Sequence, residues 1–530
     1  MFVSLFSPLA PAAVLLLGAF ILSVVFPRLP DRWRSHRLGG SFAAPALVGL
    51  AILTVLGTRL AVEADTLAQE LELVSGWNFS SVDSVAALTV RADLLSLAFL
   101  TLTLLILLAL TLANSASPAK PANMSEWLAL GAAACLLFVS ANGLTIGYAV
   151  LLFDLVAMIF WWQRGQANLG VARLFLGVFT ASGLALVSLD VTTGNALLGA
   201  ALWLRLGLYP LIETVQPVLG KANGYLVQLA LSLIVGTYLV IRVWPGPLPE
   251  LLLWLTGLTM LLAGLLAWLA NERPTLLVPL IIVETLLLLL AEGLAEGAAV
   301  AYVLALMLSL VALWVTPERG KPQITERGWL WPYLPAAAAT LTVIGVPFSL
   351  SWPARSHIYQ GLSSSQHPAF VILVILAEGL ALSSLVNYWL LLWQQKSENG
   401  LQAVAAIVIM VPFLVPGLAP FILSTLTKTE LPAAHLAQSS AVLLILMIIL
   451  GLTVGFGYYK RQIMNRLGLA PDSLAEFAEL MVAAWLGGTA WLDRVGKLIL
   501  RVEVLLQGQH YIGWALFTAL VGFVIILLGT

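Results

Sequence analysis

Seven ionisable or hydrogen-bonding residues lie in or beside long apolar stretches of the sequence, where such groups are uncommon. Burying an ionisable side chain at the centre of a membrane costs several kcal/mol, so a residue of this kind is a functional hypothesis by default. Their chemistry is suited to a proton path. The residues are Asp154, Arg205, Gln228, Glu284, Arg355, His357 and Glu378.

Four of these residues can change their protonation state. Asp154, Glu284 and Glu378 are carboxylic acids, and Glu378 lies in the middle of its apolar stretch. If protons move along this chain, we expect these three carboxylates to carry them. His357 is a further relay candidate, because an imidazole titrates near neutral pH.

The other three candidates can orient a proton path without carrying its protons. An arginine effectively never deprotonates, so Arg205 and Arg355 are expected to fix water and polarise carboxylates. Gln228 can hydrogen-bond a water molecule but cannot be protonated. A second interpretation stays open, in which Asp154–Arg205 and Glu378–Arg355 are static ion pairs that hold helices in register.

The composition identifies the class of protein. Of 530 residues, 61% are hydrophobic and 10% are charged, where a soluble domain has about 25% charged residues. Apolar runs of about 20 residues, the length that crosses a bilayer as a helix, recur throughout. A porin-type barrel would instead show a period of two. We predict an all-α polytopic membrane protein whose first span, from Leu9 to Phe26, is retained rather than cleaved.

About sixteen membrane spans are expected, and two of them contain helix breaks at prolines. Pro210 interrupts the first, and Pro347 and Pro353 interrupt the second. The predicted spans are 9–26, 41–62, 94–113, 127–141, 143–162, 172–189, 195–211, 223–243, 249–270, 275–296, 297–315, 331–350, 368–393, 402–423, 436–458 and 512–529.

The distribution of basic residues predicts the orientation. Lys and Arg are enriched in cytoplasmic loops, and the first loop has four arginines between residues 28 and 37. The acidic segment 63–83 lacks basic residues and is expected outside. Arg164 and Arg173 are expected on the cytoplasmic side. With sixteen spans, both termini are predicted to lie outside.

Three domains are predicted. Residues 1–458 form a helical bundle with two related halves, about 94–243 and 249–423. Residues 459–511 have an amphipathic pattern and are expected to form a cytoplasmic lateral helix. This helix lies either on its own protein or across neighbouring subunits. Residues 512–530 form a last span.

Several kinds of site are absent from the sequence. The single cysteine, Cys135, lies in an apolar run, and the five histidines are scattered. This excludes disulfides, Cys-based metal sites and iron–sulfur ligation by this chain alone. No nucleotide-binding fingerprint or nucleophile constellation is present. We predict no cofactor and no metal site, and the net charge of −1 indicates no nucleic-acid partner.

Short segments resemble a known family. Residues 90–97 are similar to its V-D-G-L-S entry to the third helix, 204–211 to K-x-x-x-F-P-L-H, 236–242 to G-V-Y-L-V-A-R, and 345–355 to G-x-P-P-x-x-G-F-x-x-K. This is the family of antiporter-like, proton-translocating subunits of complex I, membrane-bound hydrogenases and multisubunit cation/proton antiporters. The resemblance favours the distal type, which has a lateral helix, and implies the two broken helices.

The chain departs from this family at most of its ionisable positions. Each departure changes a residue that the resemblance would place on the proton path. Leu151 stands at a family glutamate, with Asp154 one turn later; Arg205 and Arg355 stand at lysines, Gln228 at a histidine, Pro274 at a lysine and Glu284 at a glutamine.

Three functions follow from the resemblance and its departures. The first is a proton-translocating or coupling subunit of a redox-driven, complex I-type assembly, such as an NADH or ferredoxin:quinone oxidoreductase, with all redox centres on partner chains. The second is the membrane subunit of a two-part uptake system for inorganic carbon or a cation. The third is a non-conducting structural subunit. All three imply partner subunits and a prokaryotic inner membrane or a thylakoid-type membrane.

Overall fold

The computed structural model describes most of the chain up to Gln394 and one later helix. The described residues are 7–25, 28, 37–63, 71–74, 88–115, 124–164, 167–187, 190–208, 210, 223–243, 248–270, 273–315, 334–346, 349–365, 367–394 and 440–467. They belong to two compact units. Unit 1 contains the described residues up to Ala201 and Leu226–Leu231, and unit 2 contains those of Leu202–Tyr225 and from Ser232 to Leu467.

Unit 1 is built from helices that are apolar around most of their circumference, a pattern typical of helices packed within a bundle or in lipid. Helix α5 packs along α6, and α1 contacts both α2 and α4. The helices are α1 (Ala10–Phe20, followed by a π-helical turn at Ile21–Val25), α2 (Arg37–Glu63), α3 (Leu94–Ser115), α4 (Met124–Phe138), α5 (Gly143–Gln163), α6 (Ala167–Val187) and most of α7 (Val191–Trp203).

Polar side chains cap two of these helices at their N-termini. Asp93 Oδ1 accepts hydrogen bonds from the backbone N–H of Ser96 at 2.8 Å and from its hydroxyl at 2.7 Å. Asn142 Oδ1 accepts hydrogen bonds from the backbone N–H of Thr145 at 2.8 Å and from its hydroxyl at 2.7 Å. Each cap satisfies a backbone donor that the first helical turn leaves without a partner. The start of α5, which bears Asp154, is therefore held by local chemistry.

A short antiparallel hairpin precedes α3, and its first strand lies in the acidic segment 63–83. Strand β1 (Leu71–Val74) pairs with β2 (Leu88–Val90), and Leu71 lies opposite Val90. The backbone of β2 continues its hydrogen bonding into the α4–α5 connection, because Arg91 N–H donates to Val139 O at 2.7 Å. The hairpin is thus joined to the membrane helices through main-chain bonds.

Unit 2 contains the remaining described helices. Helix α9 packs on α10 and α14, α14 also contacts α10, α12 and α15, and α11 contacts α10, α12 and α13. The helices are α8 (Asn223–Val243, largely in this unit), α9 (Glu250–Leu269), α10 (Arg273–Leu286, followed by a 3-10 turn at Leu287–Leu290), α11 (Glu296–Val315), α12 (Leu334–Ile344), α13 (Trp352–Ser363), α14 (Pro368–Gln394) and α15 (Ser440–Leu467).

Both predicted helix breaks are present. Helix α7 ends at Trp203 and passes into a π-helical turn at Leu204–Leu208. Helix α12 ends at Ile344, and α13 begins at Trp352 with Pro353 in its first turn. Gly345 has a φ of +72°, a left-handed conformation that other residues rarely adopt. The second break therefore depends on a glycine as well as on prolines.

The helices confirm the predicted all-α polytopic class. Nine helices of the described chain are long and apolar enough to cross a membrane, and shorter apolar helices accompany them. Every predicted span except two coincides with a helix, and those two, 402–423 and 512–529, lie outside the described residues. Most of the predicted lateral helix, residues 459–511, lies outside them too. Its first residues continue α15 as far as Leu467.

Candidate functional site

Three charged side chains meet at the centre of unit 2. Glu284 on α10, Arg355 on α13 and Glu378 on α14 are each fully buried. Arg355 donates from Nη2 to Glu284 Oε2 and from Nη1 to Glu378 Oε1. One arginine thus bridges two carboxylates that lie 71 and 23 residues away in the sequence. We call these three residues the carboxylate cluster.

Arg355 also binds the end of the broken helix. Its Nη2 donates to the carbonyl oxygen of Val343 in the last turn of α12. Helix C-termini carry partial negative charge and carbonyls without helical partners, so a cation is stabilised there. Gly345 leaves room for this arrangement, because a Cβ at that position would overlap the Cδ of Arg355. The break is thus what allows the arginine to reach the cluster.

Two buried tyrosines complete the cluster. The Tyr359 hydroxyl donates to Glu378 Oε1 at 2.5 Å and accepts from Arg355 Nη1 at 2.9 Å. The Tyr302 hydroxyl on α11 lies 3.0 Å from Glu284 Oε2 and 2.9 Å from the carbonyl oxygen of the same residue. Each tyrosine therefore engages the carboxylate oxygen that Arg355 also engages.

The second oxygen of each carboxylate, unlike the first, accepts no hydrogen bond from the described residues. Glu284 Oε1 and Glu378 Oε2 are buried and have no hydrogen-bond partner among the residues that the structure describes. A buried polar atom without a partner costs free energy comparable to a lost hydrogen bond. These two oxygens are therefore the positions in the cluster where a proton would bind with the greatest gain.

Close helix packing places Glu378 in the cluster. A Cβ added at Gly264 of α9 would overlap the carbonyl oxygen of Ala377, the residue before Glu378. This glycine lets the backbones of α9 and α14 approach each other, as small residues do in membrane helix pairs. On the other side, the Ser351 hydroxyl donates to Thr342 O at 2.5 Å and closes the turn between α12 and α13.

A second pair of buried charges lies in unit 1. Arg173 Nε on α6 lies 3.1 Å from Asp154 Oδ1 on α5, and both side chains are fully buried. The guanidinium carbon of Arg173 lies 5.8 Å from the ring centroid of Phe153. Gly177 faces the carboxylate so closely that an added Cβ would lie 2.8 Å from Asp154 Oδ2. The pair therefore joins two neighbouring helices.

This pair is not among the ion pairs that the sequence suggested. Arg173 belongs to the predicted span 172–189 and lies in α6, which begins at Ala167. The loop before this helix is short, since α5 ends at Gln163. The signal was present in the sequence: Arg173 lies in an otherwise apolar run, and Asp154 requires a cation if it is buried.

The remaining predicted site residues are Arg205, Gln228 and His357. Arg205 is fully buried in the π-helical turn, and a Cβ at Gly236 would lie 3.3 Å from its Cγ. Gln228 on α8 is fully buried, and its side-chain amide has no hydrogen-bond partner within the described ranges. His357 points away from the cluster, with Nε2 2.9 Å from the carbonyl oxygen of Glu292.

Sequence reasoning did not find the tyrosines. Tyr359 follows Arg355 by four residues on α13, which places both on one helix face. That spacing was a usable signal, whereas Tyr302 had none, because a tyrosine in an apolar helix is common. Among the described residues there is no group of three or more His, Cys, Asp or Glu side chains that could hold a metal ion.

Two charged groups outside the spans have shifted pKa values that their immediate neighbours explain. Asp190 precedes α7, and its pKa is lowered because the Thr193 hydroxyl and the Thr192 N–H donate to its carboxylate. Burial lowers the pKa of Arg164 beyond the end of α5, and Glu126, 3.9 Å away, opposes that shift. Both groups stabilise helix ends and lie outside the carboxylate cluster.

No family model and no curated protein sequence matches the chain. Among solved structures it is similar to a chain of the Mrp complex from Dietzia sp. DQ12-45-1b, with a TM-score of 0.66 and 15% identity over 93% of this chain. The chain spans 62% of the length of that protein.

Two respiratory complexes also contain similar chains. One is the membrane-bound sulfane sulfur reductase, an archaeal respiratory membrane complex, with a TM-score of 0.58, 14% identity, and coverage of 97% of this chain and 99% of the other. The second is respiratory complex I from Thermus thermophilus with bound NADH, with a TM-score of 0.53, 16% identity, and coverage of 84% and 100%. The chain therefore has the fold of membrane subunits found in these complexes, as its resemblance to the antiporter-like subunits predicted.

Proposed function

We propose that this chain is a proton-translocating membrane subunit of a redox-driven, complex I-type assembly, and that Glu284 and Glu378 carry the proton in unit 2. The shared fold with chains of three multisubunit membrane complexes supports a role beside partner subunits. Its long apolar helices support an integral membrane location. The proposal includes both termini on the outer side of the membrane.

The observation on which this proposal depends is the ratio of charges in the carboxylate cluster. One arginine faces two carboxylates, all fully buried. Arg355 stays protonated, so any proton that moves through this region has to be held by a carboxylate or a tyrosine. A tyrosine, with an ordinary pKa of about 10, is already protonated at neutral pH, whereas an ionised carboxylate can take up a proton, so the carboxylates are the proposed carriers.

The other predicted site residues have supporting roles in this proposal. Asp154 holds α5 to α6 through Arg173 and is the candidate proton carrier of unit 1. Gln228 hydrogen-bonds a water molecule on the path. His357 is partly exposed and is proposed as the relay on α13.

A second candidate is a structural subunit that does not conduct. Arginine at both positions where the related family has lysine favours it, because Arg355 engages both carboxylates and the end of α12 at once. In this case the cluster is a permanent joint between α10, α13 and α14. The two candidates differ in whether the proton flux depends on the carboxylates.

The first experiment is purification in mild detergent, followed by mass spectrometry of all co-purifying chains. We expect iron–sulfur and quinone-reducing subunits. A single soluble partner without redox centres would contradict the redox-driven assembly and favour a two-part uptake system.

The second experiment measures proton uptake into inverted membrane vesicles that contain the whole complex. We expect Glu284→Gln and Glu378→Gln each to abolish uptake, while Glu250→Gln, a control at an exposed glutamate in the first turn of α9, retains it. Complexes that assemble with either cluster variant and pump at the wild-type rate would instead identify a structural subunit.

A further inference from the structure

The carboxylate cluster contains more negative than positive charge when both glutamates are ionised. With Arg355 protonated, the three side chains then have a net charge of −1. An uncompensated charge buried away from water is strongly unfavourable. One added proton makes the cluster neutral, while a second would leave a buried positive charge. The composition of the cluster therefore favours a single proton.

The hydrogen bonds identify the atoms that can accept this proton. Glu284 Oε2 already accepts from Arg355 and Tyr302, and Glu378 Oε1 already accepts from Arg355 and Tyr359. Each of these oxygens is occupied by two donors. Glu284 Oε1 and Glu378 Oε2 are buried and, among the described residues, have no donor at all.

Among the described residues, the ion pairs of Glu284 and Glu378 are those with Arg355. The buried cation Arg205 lies in the π-helical turn that packs against α10, and it forms no ion pair with either glutamate. On the helices packed around the cluster, Glu250, Glu292 and Glu296 are exposed, and Lys460 donates to carbonyl oxygens at the end of α9. Tyr388 on α14 donates to Leu313 O. Helix α12 contains no titratable residue.

We propose that Glu284, Arg355 and Glu378 together form a site for one exchangeable proton, held on either Glu284 Oε1 or Glu378 Oε2. This deepens the proposed function and rests on it for the link to transport. Binding forms one O–H bond on a carboxylate, release breaks it, and the cluster alternates between a net charge of −1 and neutrality. Tyr302 and Tyr359 are positioning residues, because their hydroxyls keep the proton off the oxygens that face Arg355.

The proposal predicts an unusual mutational result. In Glu284→Gln, Glu378 remains with Arg355 as a neutral pair and has no reason to bind a proton. The same holds for Glu284 in Glu378→Gln. Each single substitution should therefore remove the whole proton-binding signal of the site. Two independent carboxylates would instead each lose about half of it.

The test is infrared spectroscopy of the purified protein in lipid, because a protonated carboxyl group has a carbonyl stretch that a carboxylate lacks. Spectra are recorded across pH values at which exposed Asp and Glu, with ordinary pKa values of about 4, are ionised. Labelling with [13C]glutamate assigns the band to glutamate in the unmodified protein. The variants are compared in protein that also contains Glu126→Gln, because Glu126 is a further glutamate whose side chain is only 22% exposed. We expect one glutamate band that both cluster variants lose completely and that Glu250→Gln retains.

Three other outcomes would overturn the proposal. The first is the absence of a [13C]glutamate-sensitive carboxyl band in the unmodified protein. This result would show that both carboxylates are ionised, and it does not depend on whether a variant folds. The second is a band that neither variant removes. The third is a band of which each variant removes about half. None of these spectra depends on transport. If the glutamate band behaves as expected but the complex takes up no protons, the proposed function is contradicted and the single-proton site is not.

Discussion

The two units handle buried charge differently. In unit 1, Asp154 meets Arg173 on the adjacent helix, and the pair itself is neutral. In unit 2, Arg355 forms ion pairs with Glu284 and Glu378, which lie on two other helices. Arg355 itself lies just after the helix break between α12 and α13. Both groups are fully buried. In unit 2 one arginine engages two carboxylates, while the ion pair described in unit 1 joins one arginine to one carboxylate.

This difference determines whether each group needs a proton at rest; Asp154, as the proposed carrier of unit 1, would take up a proton only when it separates from Arg173. A neutral ion pair between adjacent helices can be complete without any proton, so it is suited to holding a register. A cluster with a surplus carboxylate is complete only when it binds one. Replacing one partner of a buried pair leaves an uncompensated charge and costs about 3–5 kcal/mol, whereas replacing both partners can be nearly neutral. The comparison can therefore be tested by removing charges singly and together.

The largest effect is expected for Arg355→Gln. The substitution leaves two buried carboxylates without their cation and removes a donor from Val343 O, so we expect a loss of at least about 3–5 kcal/mol in the free energy of unfolding. The measurement is thermal unfolding in detergent, followed by the yield of folded protein. Arg355→Lys, which keeps the charge, is the control. An unchanged midpoint in Arg355→Gln would contradict the contacts of the cluster.

A smaller loss is expected for Arg173→Gln, because this substitution removes a cation from one carboxylate rather than from two. The expected value lies near 3 kcal/mol, at the lower end for a buried pair. The double variant Asp154→Asn/Arg173→Gln should regain most of this stability, since amides can hydrogen-bond each other. Thermal unfolding of both single variants and the double variant gives the coupling energy directly. Additive losses would show that the two side chains do not interact.

Next in size is Gly345→Ala in unit 2. Gly345 has a φ of +72°, and a Cβ there would overlap Arg355. Gly293 is a matched control, because its φ is +69° and nothing lies within 4 Å of an added Cβ. Gly293→Ala should cost about 1 kcal/mol for the backbone conformation alone, and Gly345→Ala clearly more. Equal unfolding midpoints would show that Arg355 does not need the space.

The smallest effect is expected between α5 and α6 in unit 1. A Cβ at Gly177 would lie 2.8 Å from Asp154 Oδ2, while one at Gly147 would make an ordinary contact of 3.7 Å with Ala181. We expect Gly177→Ala to destabilise by about 1 kcal/mol through overpacking. Gly147→Ala should stabilise by about 0.5–1 kcal/mol through helix propensity. Stabilisation by both would indicate that the ion pair has room to move.

The sequence by itself determined the class of the protein and the location of its helices. Apolar runs of membrane-spanning length are a local property, so hydropathy alone located every described span. The helix breaks were also visible, because proline cannot donate a backbone hydrogen bond within a helix. The buried carboxylates and Arg355 were recognisable as unusual for a similar reason, since a charge in an apolar run is costly wherever it lies.

Only the tertiary structure decided which charges meet. Glu284 lies 71 residues before Arg355, and Glu378 lies 23 residues after it, so their contact depends on the packing of α10, α13 and α14. Sequence reasoning considered Glu378–Arg355 as a pair but did not add Glu284 or the two tyrosines. It also did not pair Arg173 with Asp154, although these two side chains form an ion pair. Hydropathy measures the preference of each segment for lipid, whereas charge pairing depends on distances between segments that are set only when the helices pack.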